Sequence, residues 1–137
     1  MNRPEEIREV LTGTTTWFVV GLGNDPSRDA FSVAALLQRK GKRIVPIHPR
    51  AQVVHGEQGY ATITEAAAAV GAPDVVDMFV RSDRVGPLAD EAVAAGAGAL
   101  WFQLGVIDDD AAQRVVDAGR TMVMDRCPAI EWPRLVD

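Results

Sequence analysis

The sequence predicts an α/β fold, a parallel sheet covered by helices on both faces. Three observations predict it. Five short apolar runs are continuous rather than alternating, as strands buried on both sides should be. Amphipathic or alanine-rich segments of helical length lie between them. Four of those segments end at a glycine just before the next run, at Gly41, Gly71, Gly96 and Gly119. Glycine is the usual residue one step past a helix, where left-handed backbone is needed. Strand and helix therefore alternate. Right-handed crossovers then give a doubly wound, Rossmann-like sheet of five or six strands.

The elements follow in order. Pro4 to Leu11 reads as an opening helix, and Thr16 to Val20 as the first strand. After the loop Gly21-Leu22-Gly23-Asn24-Asp25-Pro26-Ser27-Arg28, a helix is expected from Asp29 to Lys40. Arg43 to Ile47 is the second strand, and Val53 to Ala61, with Gly56 and Gly59, is read as a short edge strand. Thr62-Ile63-Thr64-Glu65 is a capping box for a helix reaching Val70. The third strand is Asp74 to Val80. Ser82 is read as the N-cap of a helix from Asp83 to Ala95, whose Val85, Leu88, Ala89, Ala92 and Val93 form one apolar stripe. Ala99 to Phe102 is the fourth strand. Asp108, Asp109 and Asp110 place negative charge where a helix start favours it, and Thr121 to Met124 is the fifth strand. Trp17, Trp101 and Phe102 read as core, and Trp132 as an anchor for the tail.

The bulk properties narrow the function classes. A chain of 137 residues is expected to form a single domain spanning 1–137 with a real core. Its net charge of −5 argues against a general nucleic-acid or membrane-surface role. Twelve of its 14 basic residues are arginine, which suits bidentate phosphate contacts but also follows from a GC-rich genome. Position must therefore decide. One cysteine, no signal-peptide pattern at the start and no apolar run of about 20 residues lead to a cytoplasmic expectation.

In doubly wound sheets, ligands bind outside the carboxyl ends of the strands. The residues following each strand can be read together on that basis. The first strand is followed by Gly21, Gly23, Asn24, Ser27 and Arg28, and the second by His48, Pro49 and Arg50. Arg81 and Ser82 follow the third, Gln103, Leu104 and Gly105 the fourth, and Asp125, Arg126, Cys127 and Pro128 the fifth. Arg28, Arg50, Arg81 and Arg126 would thus share one edge of an acidic protein. Surface loops often carry single arginines; four beside a glycine loop shift the balance toward a polyanionic ligand. A strand, a glycine turn and a helix start form an anion site, because free backbone N–H groups point at the ligand. The dinucleotide fingerprint G-x-G-x-x-G is incomplete, since Pro26 stands at the third glycine position. An NAD site usually has an acidic residue at the end of the second strand. Here Ile47-His48-Pro49-Arg50 is basic, which favours a ribose bearing a phosphate, as in NADP or coenzyme A.

These loops, taken in order, resemble the CoA-binding domain family, whose small stand-alone bacterial members share the domain with the α subunit of succinyl-CoA synthetase. The resemblance rests on Val19-Val20-Gly21-Leu22 with Asn24, Pro26, Ser27 and Arg28, and on Val45-Pro46-Ile47-His48-Pro49. It continues through Asp74-Val75-Val76-Asp77, Ala99-Leu100-Trp101 with Gln103 and Gly105-Val106, and Val123-Met124-Asp125-Arg126-Cys127. It implies a Rossmann-like domain that binds CoA or an acyl-CoA at the carboxyl edge of the sheet. Gly21, Leu22, Gly23, Asn24, Ser27 and Arg28 would form the phosphate loop. His48, Pro49 and Arg50 would lie by the adenosine end. Val80, Arg81, Phe102, Gln103 and Leu104 would border the cofactor across the switch point. The chain departs from the family where Gly23 replaces a common serine and where Asp25 and Asp29 bring negative charge to the loop. Asp25 can repel a pyrophosphate or pair with Arg28; the residues alone leave both open.

No catalytic residue and no metal-ligand spacing is read from the chain. The ligase relatives use a phosphorylated histidine from a further domain that these 137 residues do not include. His48 is read as a ligand contact or loop cap, and His55 as a solvated surface residue. Asp74, Asp77, Asp108, Asp109 and Asp110 are read as strand-end and helix-cap residues. Cys127 is read as a structural thiol in a half-buried loop; the alternative, a mixed disulfide with a cofactor thiol, needs a depressed pKa and access. The leading expectation is a non-catalytic CoA-binding module. The alternatives are an NADP-binding oxidoreductase module and an interaction subunit complementing a separate ligase-like chain. Single-domain proteins of this kind often form homodimers, which makes a second copy of the chain one expected partner.

Overall fold

The computed structural model describes all 137 residues. Its elements are α1 (Pro4–Thr12), β1 (Thr16–Val20), α2 (Asp29–Arg39), β2 (Arg43–Ile47), α3 (Ile63–Val70) and β3 (Val75–Met78). They continue as α4 (Ser82–Ala94), β4 (Ala99–Phe102), α5 (Asp109–Asp117), β5 (Thr121–Met124) and α6 (Pro128–Leu135). The five strands form one parallel sheet in the order β2-β1-β3-β4-β5. The chain steps from β1 outward to β2 and returns to β3 on the other flank, so the topological switch point lies between β1 and β3.

Successive strand residues point to opposite faces, and both faces are dry. Phe18, Val20, Val76, Met78, Leu100 and Phe102 join a cluster covered by α3, α4 and α5. Trp17, Val19, Val75, Trp101 and Val123 join a second cluster under α1, α2 and α6. This double burial is why the strands read as unbroken apolar runs. The Trp17 and Trp101 rings meet at 5.8 Å within the second cluster. Trp132 is buried there too, with its indole N–H donating to Asp137 and the Lys40 and Lys42 ammonium groups near its ring.

The helix caps largely follow the expected chemistry. The Thr62 hydroxyl accepts from Glu65 N at 3.0 Å, and Asp108 accepts from Ala111 N at 3.0 Å. The four predicted helix-ending glycines all have positive φ.

Five differences from the sequence reading have physical causes. The segment Val53 to Ala61 forms no strand; it makes two isolated bridges, Ile47 with Tyr60 and Val54 with Glu57. The sheet therefore has five strands, and β2 is an edge. Ser82 is the first residue of α4 rather than its cap, because its hydroxyl is taken by Gly105 O at 3.0 Å and Ile107 N at 2.9 Å. α6 was not foreseen, and Cys127 lies buried at its start rather than in a half-buried loop. His55 is not a solvated surface residue: its ring lies 4.2 Å from that of Phe31, and Nε2 is 2.8 Å from Phe31 O. Asp77 is not at a strand end; it lies inside β3 and is fully buried.

Candidate functional site

The site is built where the glycine loop leaves β1. Gly21 has φ +95°, and a Cβ placed on it would stand 2.3 Å from Phe79 O. Its N–H donates to Ile47 O at 2.8 Å, while Phe79 N donates to Val20 O at 2.9 Å. Gly21 is thus wedged between the ends of β2 and β3, at the switch point. Only a residue without a side chain allows that approach.

Beyond it, the loop folds back on itself and on the segment after β2. Leu22 is buried in the second cluster and anchors the loop rather than facing outward. A Cβ on Gly23 would meet the His48 ring at 3.2 Å and Gln52 Oε1 at 3.4 Å, so the loop packs directly on the β2 exit. Asn24 N donates to Gln52 Oε1 at 3.1 Å, and Asn24 Nδ2 donates to Val53 O at 2.6 Å. His48 Nδ1 accepts from Arg50 N at 3.1 Å, which caps the turn after β2 and leaves Nε2 directed at Gly23. Pro49 and Arg50 are exposed, and Arg50 has no ion-pair partner.

The start of α2 closes the loop. Asp25 Oδ1 accepts from Ser27 N at 3.0 Å and from the Ser27 hydroxyl at 2.6 Å. Arg28 Nε lies 3.7 Å from the same carboxylate. The Ser27 hydroxyl and N–H hold the Asp25 carboxyl below the ordinary aspartate range, with a smaller contribution from Arg28. The sequence left repulsion and pairing open for Asp25; in the structure it pairs. The N–H groups of Asp29 and Ala30 have no protein acceptor, so the first turn of α2 retains free donors beside the loop. Free N–H groups at a helix start are donors that a phosphate can take.

The far side of the edge is arranged differently. Val80 is half-buried, and Arg81 is exposed and paired with Asp83 at 3.0 Å. Phe102 is buried in the first cluster. Gln103 is also buried, and its amide turns inward to donate to Asp77 at 2.8 Å. Burial raises the Asp77 carboxyl well above the ordinary aspartate range. Leu104 is exposed and lines a cavity of about 380 Å³ at the end of β5, with Asn2, Asp125, Cys127 and Ile130 among its walls. Arg126 is half-buried, and Nε lies 3.5 Å from the buried Glu131 carboxylate, so it is not a free cation of the edge. The structure therefore brings the Gly21–Arg28 loop and the His48–Arg50 turn together, and sets Val80 and Arg81 across the switch point. It turns Phe102 and Gln103 into the interior.

Two residues of this region escaped the sequence reading. Gln52 and Phe79 carry no motif; the Gln52 side chain holds Asn24 N and the Phe79 backbone packs on Gly21, contacts that become visible only when β1, β2 and β3 are side by side. No three His, Cys, Asp or Glu side chains converge as a metal-ligand set. No helix is long and apolar enough to cross a membrane.

Known proteins resemble this chain in sequence and in fold. The family model described as "CoA binding domain" matches residues 15–133. A Bacillus subtilis (strain 168) protein, "Uncharacterized protein YneT", is 30% identical over 122 residues, covering 89% of this chain and 88% of its own. A solved structure described as a hypothetical protein from Pyrococcus horikoshii OT3 superposes with a TM-score of 0.91 at 30% identity, covering 98% of this chain and 93% of that one. A Thermus thermophilus structure described as "cell-free ID.343" superposes with a TM-score of 0.86 at 30% identity, covering 97% and 98%.

Proposed function

We propose, from the premise that the chain belongs to the CoA-binding domain family, that it binds coenzyme A, free or acylated, at the β1–β3 switch point and performs no chemistry on it. The observation that carries this reading is the Gly21–Arg28 loop, which lies at the switch point and inside the matched residues. The pyrophosphate would lie over Gly21 and Gly23 and take the free N–H groups of the α2 start, with Ser27 and Arg28 as side-chain partners. His48, Pro49 and Arg50 would border the adenosine. Arg50, exposed and without an ion pair, would take the ribose phosphate. Val80 and Arg81 would flank the pantetheine as it leaves the loop.

The basic exit of β2 also suits the 2′-phosphate of NADP, and ligand comparison separates the two. Thermal melts with CoA, dephospho-CoA, NADP and NAD make the test. CoA at 100 times its Kd should stabilise the protein by roughly 2.7 kcal/mol, and dephospho-CoA by less. A larger shift with NADP would replace the reading with a nicotinamide site, and no shift with CoA would remove it.

A further inference from the structure

We propose that Asp25 is an internal stand-in for a ligand phosphate, occupying the phosphate partners of the loop and setting its affinity and charge preference. This rests on the assignment of the loop as a phosphate site. Ser27 and Arg28 are two side chains of the loop suited to a phosphate, and both are engaged by the Asp25 carboxylate. One oxygen takes the Ser27 N–H at 3.0 Å and its hydroxyl at 2.6 Å; the other lies 3.7 Å from Arg28 Nε. The Arg28 N–H donates to Asp25 O at 3.0 Å, so the carboxylate is held on a tight turn just ahead of α2.

A carboxylate bound by an N–H, a hydroxyl and a guanidinium is chemically what a phosphate oxygen would be at the same place. The groups that hold Asp25 also keep it ionised, since its proton affinity is lowered by the Ser27 bonds. Its side chain is 57% exposed, so nothing packs it in place and it can swing away when a stronger anion arrives. A further loop donor, Asn24 N, is likewise satisfied internally by Gln52. In the ligand-free loop the Ser27, Arg28 and Asn24 donors are thus taken by internal acceptors, while the Asp29 and Ala30 N–H groups stay free. An incoming pyrophosphate must displace the Asp25 carboxylate and also tolerate its charge nearby. Ligands lacking a pyrophosphate meet neither barrier.

The test is a calorimetric titration of wild type, Asp25→Asn and Asp25→Ala with CoA, and with adenosine as a ligand without phosphate. Asp25→Asn keeps an oxygen for the Ser27 turn but removes the charge; Asp25→Ala removes both. Melts without ligand check that each variant is folded. Both variants should bind CoA about five- to tenfold more tightly, as expected for removing one unit charge near the phosphate in a solvated loop. Adenosine affinity should be unchanged. If wild type binds CoA and both variants bind equally or more weakly, the stand-in role is overturned while the ligand assignment survives. If none of the three proteins binds CoA, the assignment of the loop fails and the inference with it.

Discussion

The Gln103 amide donates to the Asp77 carboxyl at 2.8 Å, in a pair buried beneath the carboxyl edge of the sheet. Asp77 sits between β1 and β4, opposite Val19 and Trp101. Gln103 directly follows β4, and its own N–H reaches back to Met78 O at 3.4 Å. The pair joins the interior of β3 to the loop after β4 at the place where the ligand edge begins.

This pair gives a pH dependence with a definite sign. Burial raises the Asp77 carboxyl in the folded state, so the folded protein holds that proton more tightly than the unfolded chain. Its contribution to stability is complete below the ordinary aspartate value of about 3.9 and is lost as pH rises through the folded-state value. Asp25 and Glu6, held below their ordinary range, have the opposite sign. The wild-type slope alone is therefore mixed, and Asp77→Asn isolates the Asp77 part. The Tm of wild type minus that of Asp77→Asn should fall as pH rises above about 4; a difference that does not change with pH contradicts it.

Gly21→Ala should damage the fold as well as the loop. The left-handed backbone costs a residue with a Cβ roughly 1–2 kcal/mol, and the new methyl would sit 2.3 Å from Phe79 O. Together these should remove about 3 kcal/mol or more from the unfolding free energy. Urea denaturation measures it; a loss under about 1 kcal/mol would mean that the β1 exit relaxes freely.

Asn2 should matter more than its place near the terminus suggests. Its side chain donates to Met124 O at 2.7 Å and accepts from Met124 N at 2.8 Å, doing for the edge strand β5 what another strand would do. Asn2→Ala should cost about 1–2 kcal/mol and speed hydrogen exchange at the Met124 amide. An unchanged exchange rate there would show the clamp to be idle in solution.

Arg50→Ala should erase the preference for CoA over dephospho-CoA while leaving dephospho-CoA affinity nearly unchanged. A charged hydrogen bond of about 1.5–3 kcal/mol corresponds to roughly 10- to 100-fold in Kd. Equal weakening of both ligands would move the ribose phosphate away from Arg50.

The fold was legible because both sheet faces are dry. Runs such as Arg43 to Ile47 and Thr121 to Met124 carry apolar side chains in both directions, so their ends could be read to the residue. α6 stayed hidden because Pro128 and Pro133 in an eight-residue helix look like loop chemistry. Val53 to Ala61 carries apolar residues with glycines, as an edge strand does, yet pairs only through single bridges. The same limit applies at the edge. The glycine loop and the basic β2 exit are local patterns, and both were visible. The Asp77–Gln103 pair spans 26 residues of chain, and a charged residue in a strand ordinarily faces out, so its burial could not be read. The hold of Ser27 on Asp25 depends on a turn geometry that Asp-Pro-Ser-Arg permits but does not dictate.

Amide chemical-shift mapping during a CoA titration shows whether CoA lies on the β1–β3 switch point. Shifts should concentrate at Gly21 to Ala30, His48 to Arg50 and Val80 to Arg81, with the difference between CoA and dephospho-CoA centred on Arg50. Shifts confined to the cavity around Asn2, Cys127 and Ile130, or no shifts at saturating CoA, would contradict it.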